Sequence, residues 1–276
     1  LQILSGYYKL INNILSNLDE ELNKFIAQTG KSKVAVIIPL YGYWKEIEKN
    51  PLNIQTLRLS MDKIVSSIHG VYVFFVGEST RLPNGIQNYI VVQSRTGGNF
   101  HGVEMPNNSC YADYVRKGLQ VAQEITDAAY FINFNPWNII QRIGIDVMVD
   151  RLNYGDKVKI VSGFDLKPEV TAETFDPAQF ENKLFTPAIE RYKIDSNFMG
   201  ITRQFLEVVN PDPHIRTAKY MEFDMMQTLL GKGFMCVESQ RLPMFVFDVN
   251  IEMLENNADL ESDKQYFIKK WGFNPV

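Results

Sequence analysis

The chain has 276 residues, 45% of them hydrophobic and 22% charged, which is enough to bury one large α/β core or two small ones. A net charge of −4 excludes a broad electrostatic footprint for nucleic acid, and no apolar run approaches the roughly 20 residues of a membrane-spanning helix. Two cysteines, Cys110 and Cys236, make neither a disulfide framework nor a metal motif; three histidines exclude a His-rich metal site, so acid–base work falls to carboxylates.

Residues 1–29 read as one amphipathic helix, with Leu15, Leu18, Leu22, Phe25 and Ile26 at three- and four-residue spacing and Thr29-Gly30 as a stop signal. Such a helix packs on its own domain or docks a partner protein or a second copy. Charged and amide residues recur through 1–26, so no secretory signal is legible and a cytoplasmic protein with reduced thiols is expected. A start at Leu1 rather than Met suggests that the gene begins upstream.

Residues 34–39 are a β-branched run ended by Pro39, which predicts a strand buried on both faces. A helix is predicted over 53–68, a second buried strand over 71–76 and a short third strand over 89–92. Residues 94–108, rich in glycine and asparagine, read as a loop. Ser109 or Asn108 caps a helix running to about Thr126, and a fourth strand follows at 129–133. This rhythm predicts a parallel α/β sheet. The second half reads as helix over 139–152, strand over 158–163, and loop with short helical turns over 165–190. Helices at 202–209 and 220–230 and strands at 234–236 and 244–248 complete it.

Three segments carry a resemblance. KVAVIIPLYG (33–42), SNFMGITRQFLEVV (196–209) and EFDMMQTLLGKGF (222–234) together resemble family 2 glycosyltransferases, enzymes of the nucleotide-sugar fold called GT-A. The resemblance covers roughly residues 33–272. It implies a mixed, mainly parallel sheet flanked by helices, with a nucleotide-binding half (31–137), an acceptor half (138–276) and a preceding N-terminal helix (1–30). It also implies a nucleotide-sugar donor, with a glycan, protein or lipid as acceptor. Protein partners or self-association through the N-terminal helix are compatible with it.

Position by position, the resemblance puts Pro39 and Tyr41 near the nucleotide base, with Tyr41 or Tyr43 to stack on it, and leaves Glu78 as the acid nearest the base or ribose. Gly118 matches a helix glycine that permits close approach. Arg116 stands where the family has Asn, and its planar fork suits a diphosphate. Where the family has a metal-binding Asp-x-Asp, this chain has Asn133-Phe134-Asn135. Neutral amides should hold Mg²⁺ or Mn²⁺ far more weakly than carboxylates, so transfer with weak or no metal dependence is expected. Arg95, Arg116, Arg142 and Arg203 are the nearest candidate cations by sequence to stand in for the metal. Glu222 falls where the family has its catalytic base, and Asp224 on the acid that follows. Lys270 and Trp271, with Lys269, belong to a tail that closes over the site in several of these enzymes. Bland alternatives stand beside each reading: Tyr41 as loop packing, Glu78 and Arg116 as solvated charges, the two acids as helix-terminus residues, and the tail as an amphipathic helix.

Two functions follow. One is an inverting glycosyltransferase using Glu222 as base. The other is a catalytically inactive module of the same fold with a structural or partner-binding role in a larger assembly. A nucleotidyltransferase is disfavoured, because residues 40–44 are not a glycine- and base-rich phosphate loop.

Overall fold

The computed structural model describes residues 33–42, 52–78, 99–153, 157–166, 176–182, 190–246 and 255–275. The helix expected at 1–29 and the strand expected at 89–92 lie outside them. In chain order the elements are β1 (Lys33–Pro39), α1 (Leu52–Val65), β2 (Gly70–Gly77), β3 (Asn99–Glu104), α2 (Tyr111–Ile125), β4 (Tyr130–Phe134) and β5 (Asn138–Ile140). They continue with α3 (Gly144–Asn153), β6 (Val158–Asp165), α4 (Pro177–Asn182), β7 (Glu190–Arg191) and β8 (Phe198–Thr202). Last come α5 (Arg203–Leu206), α6 (Ala218–Gly231), β9 (Met235–Val246) and α7 (Asn257–Trp271).

All the strands join one mixed sheet in the order β3-β2-β1-β4-β8-β6-β9-β5, with β7 on β9. The first four are parallel; β8 enters antiparallel between β4 and β6. The β1 run is buried throughout beyond Lys33 because its alternate side chains feed two cores. Ala35 and Ile37 join Tyr114, Val115 and Leu119 of α2 and Met221, Met225 and Leu229 of α6. Val34, Val36 and Ile38 join Leu57, Met61 and Ile64 of α1 and Met148, Val149 and Leu152 of α3. Gly118 seats α2 on the sheet: a Cβ there would collide with Ile37 and come within 2.8 Å of Val76.

Four local expectations are corrected. Residues 99–104 are not loop but edge strand β3, paired with β2 from Tyr72↔Asn99 to Gly77↔Glu104; pairing overrides the turn-like composition. The helix expected from 139 starts only at Gly144, because Asn138–Ile140 pairs antiparallel with Met244–Val246. The helix expected at 202–209 shrinks to α5, since β8 runs to Thr202 against β4. Finally, the strands expected at 234–236 and 244–248 are one strand, β9. Its register with β6 jumps from Gly163↔Ser239 to Phe164↔Pro243, so residues 240–242 bulge and mask the continuity.

Candidate active site

Strand β4 delivers Asn133 to the carboxyl end of the parallel strands, opposite Ile37 of β1 and Met199 of β8. Ligands of open α/β sheets bind at such an edge. Strand alternation turns Asn133 towards α2, where its Nδ2 donates to Tyr111 Oη at 3.0 Å and to the Ser196 carbonyl. The same Ser196 donates its backbone N–H to Glu222 Oε1 at 2.7 Å. One residue thus joins the position expected to hold a metal and the position expected to hold the base, 89 positions apart in the chain.

Glu222 is half-buried on α6. Burial and the nearby Asp195 carboxylate push its pKa up to about 8, while Ser196 and the Lys193 ammonium pull the other way. Asp195 itself is buried: its N–H donates to Ser162 Oγ at 3.0 Å and its Oδ1 accepts from Asn197 N at 2.9 Å. Lys193 sits 2.9 Å from Glu238 and 3.6 Å from Asp195, with its side chain 51% exposed. Tyr41 completes the near wall. Its ring meets Tyr111 and Tyr114 edge-on, with centroids 6.1 and 5.5 Å away.

The site residues expected from sequence therefore divide. Tyr41, Asn133 and Glu222 converge around Tyr111 and Ser196. Pro39 is buried at the end of β1, and Glu78 lies exposed past β2 beside the Tyr114 phenol. Arg116 clamps α2 to the loop between α5 and α6: Nη1 donates to the carbonyls of Asp212 at 2.7 Å and Ile215 at 2.8 Å, and Nη2 pairs with Asp113. Asp224, Lys270 and Trp271 meet one another. Trp271 Nε1 donates to Asp224 Oδ1 at 2.7 Å, and Lys270 Nζ lies 2.7 Å from both Asp224 and Asp212. This knot fastens α7 to α6. Of the other cations, Arg203 donates to the carbonyls of Ala128, Gln123 and Thr126 at the opposite end of the sheet, and Arg95 lies outside the described residues.

The residues at 133 and 135 do not fit a divalent cation. Asn133 is 1% exposed and meets Ser196 through its N–H₂ group, a bond no carboxylate could donate. Its buried Oδ1 has no hydrogen-bond partner. Asn135 is fully buried; it donates to Asn197 Oδ1 at 2.8 Å and accepts from Trp137 N at 3.1 Å. Hard cations take several anionic oxygens, and among the described residues no group of three or more His, Cys, Asp or Glu side chains can hold a metal. Sequence reasoning assigned no role to Tyr111, Lys193, Asp195, Ser196 or Glu238. The one local signal was the small polar run Asp195-Ser196-Asn197, which ends in a side-chain turn.

No family model matches the sequence, and no curated protein is similar to it by sequence. Solved structures do match by shape. A mannosyltransferase, PcManGT from Pyrobaculum calidifontis in complex with GDP-Man and Mn²⁺, superposes with TM-score 0.57 at 12% identity, over 90% of this chain and 67% of that one. GalNAc-T7 with UDP, GalNAc and Mn²⁺ gives 0.59 at 9%, over 87% and 49%. TarS of S. aureus gives 0.56 at 9%, over 88% and 40%. The fold is GT-A-like. The chain spans less than half the length of GalNAc-T7 and TarS. Within the GT-A-like frame, Ser196 and its neighbours sit where the first parallel strands end. Among the described residues no helix is long and apolar enough to cross a membrane.

Proposed function

We propose that this protein is a glycosyltransferase that moves a sugar from a nucleotide-sugar to an acceptor hydroxyl with inversion, without dependence on a divalent metal. The observation that carries the reading is Glu222. It is a half-buried carboxylate oriented by Ser196 N–H, with a pKa of about 8, close to the operating range of a general base. In the proposed step Glu222 takes the acceptor proton as the acceptor oxygen bonds to the anomeric carbon. The bond from that carbon to the phosphate oxygen breaks, and its electron pair leaves with the nucleoside diphosphate. Tyr41 forms the wall on the nucleotide side, and Lys193 is a half-exposed cation bordering Glu222. The fold shared with sugar-nucleotide enzymes supports this reading, and the donor chemistry at Asn133 supports its metal independence. A cytoplasmic setting fits the two free, buried cysteines.

A second reading, a catalytically inactive module, is favoured by the same two amides, since both Asn133 and Asn135 are committed to scaffold bonds. Calorimetric titration with UDP, GDP and several of their sugar conjugates, with and without Mn²⁺, separates the two. Metal-independent binding of one nucleotide, followed by transfer that Glu222→Gln abolishes, is expected. An intact fold that binds none of them would sink the enzyme reading and leave the module.

A further inference from the structure

Lys193 is half-exposed, yet both carboxylates it meets are buried. Its Nζ lies 2.9 Å from Glu238, whose side chain is 4% exposed, and 3.6 Å from Asp195, whose side chain is 11% exposed. The backbone knits these groups into a closed set. Glu238 on β9 is the register partner of Ser162 on β6. Ser162 Oγ accepts from Asp195 N at 3.0 Å, and the Asp195 carboxylate leads back to Lys193. The next residue, Ser196, gives its N–H to Glu222 Oε1 at 2.7 Å. Asp195 and Glu222 are therefore held one peptide unit apart, and the Lys193 charge acts on both.

Three carboxylates thus share one ammonium. Two carboxylates in one buried site do not both ionise unless a cation offsets them. Glu238 takes the shorter contact and keeps the ammonium at the site, since a buried carboxylate stripped of its cation is strongly destabilising. What remains of the ammonium's field falls on Asp195 and Glu222, where it opposes the burial that holds the Glu222 proton. Other elements around α6 bring different groups. The Tyr111 phenol of α2 is kept neutral by burial, Glu255 accepts from Ala218 N–H, and Lys270 of α7 is committed to Asp212 and Asp224.

We infer that Lys193 is a positioning residue for the proposed base: Glu238 anchors its ammonium where Asp195 and Glu222 share it, so that Asp195 stays ionised while Glu222 takes up the acceptor proton. This rests on the reading of Glu222 as base. It adds that the cation serving that base comes from the segment between β7 and β8, and that a buried carboxylate on β9 keeps it there.

A ¹³C NMR titration of the full chain tests it, reading the side-chain carboxyl carbon of Glu222, assigned by its loss in Glu222→Gln. Lys193→Met should move the Glu222 midpoint up by about one pH unit or more, because the opposite charge has gone. Glu238→Gln should move it down, because the ammonium is then left to Asp195 and Glu222. Lys193→Arg should keep the wild-type midpoint. A purely structural pair would give no such opposed movements. Thermal melting by circular dichroism verifies that each variant is folded, and Glu238→Gln, which leaves no buried carboxylate unpaired, keeps the test open should Lys193→Met not fold. The titration needs no sugar donor, so failure of transfer and failure of this proposal read out separately. An unmoved midpoint in folded Lys193→Met, an unmoved or raised midpoint in Glu238→Gln, or loss of the wild-type midpoint in Lys193→Arg would each overturn the proposal.

Discussion

Glu222 and Asp224 stand two residues apart on α6, yet their surroundings are opposite. Asp224 is 3% exposed and closed in by the Lys270 ammonium and the Trp271 indole N–H, both from α7. Asp212, in the same knot, is pushed up by burial. Lys270 and the His214 N–H outweigh this and hold it down to about 2. Glu222 has only a peptide N–H and a shared Lys193 for support, faces another carboxylate, and is pushed up to about 8. The pair teaches that an acidic motif does not assign roles. A carboxylate matched by its own cation builds structure, whereas one left short of countercharge is available for proton transfer.

The largest test of this contrast is Glu222→Gln. Removing a general base costs about 10²–10⁴-fold, so the proposed transfer should fall by at least about 100-fold. Stability should move the other way. Unfolded, Glu222 loses its proton near about 4.3, whereas folded it keeps it to about 8, so the native state is penalised increasingly as pH rises between those values. Glutamine still accepts from Ser196 N–H, and urea melts at pH 8.5 should show a gain of about 1–3 kcal/mol that disappears at pH 4. A loss of stability at pH 8.5 would break the comparison.

On the knot side, Lys270→Met strips Asp212 and Asp224 of their shared cation. We expect a cost of about 3 kcal/mol in chemical denaturation, because buried carboxylates are left without countercharge. Asn133→Asp comes next. It sets an acceptor against the Ser196 carbonyl in place of a donor and should cost about 2 kcal/mol without conferring Mn²⁺-dependent stabilisation in thermal melts. Stabilisation by Mn²⁺ would show that a metal position survives. The smallest effect expected is on the acid limb. Because Asp212 is depressed when folded, its contribution is complete above about 4 and drains away as pH falls towards 2. Asp212→Asn should therefore lower stability at pH 7 by about 1 kcal/mol, the shift being discounted for solvent screening, and flatten that limb.

The legible part of the fold is its parallel half. VAVIIP is buried on both faces, as is VYVFFV from Val73 on, and burial on both faces is what continuous apolar runs encode. The mixed half was harder to read. Residues 198–202 and 138–140 carry no strong strand signal, and their pairing with β4 and β9 comes from partners more than 60 positions away. The same holds for the candidate site. Asn133 and Glu222 stood out as positions, but Ser196 looked like one serine in a small polar run until the fold placed its two peptide groups between them.

By itself, then, the amino-acid sequence determined the layered α/β class and, apart from β3, the strand–helix rhythm of the described parallel half. Those depend on local periodicity and residue size, which a chain carries in its own order. Tertiary structure alone decided that Asn133 is a donor locked to Ser196, that Arg116 and Arg203 are clamps, and that Asp224, Lys270 and Trp271 form a knot. It also decided that Glu238 anchors Lys193 beside Asp195. Each of these rests on which distant polar group arrives within hydrogen-bond reach, and that is settled only when the sheet has closed.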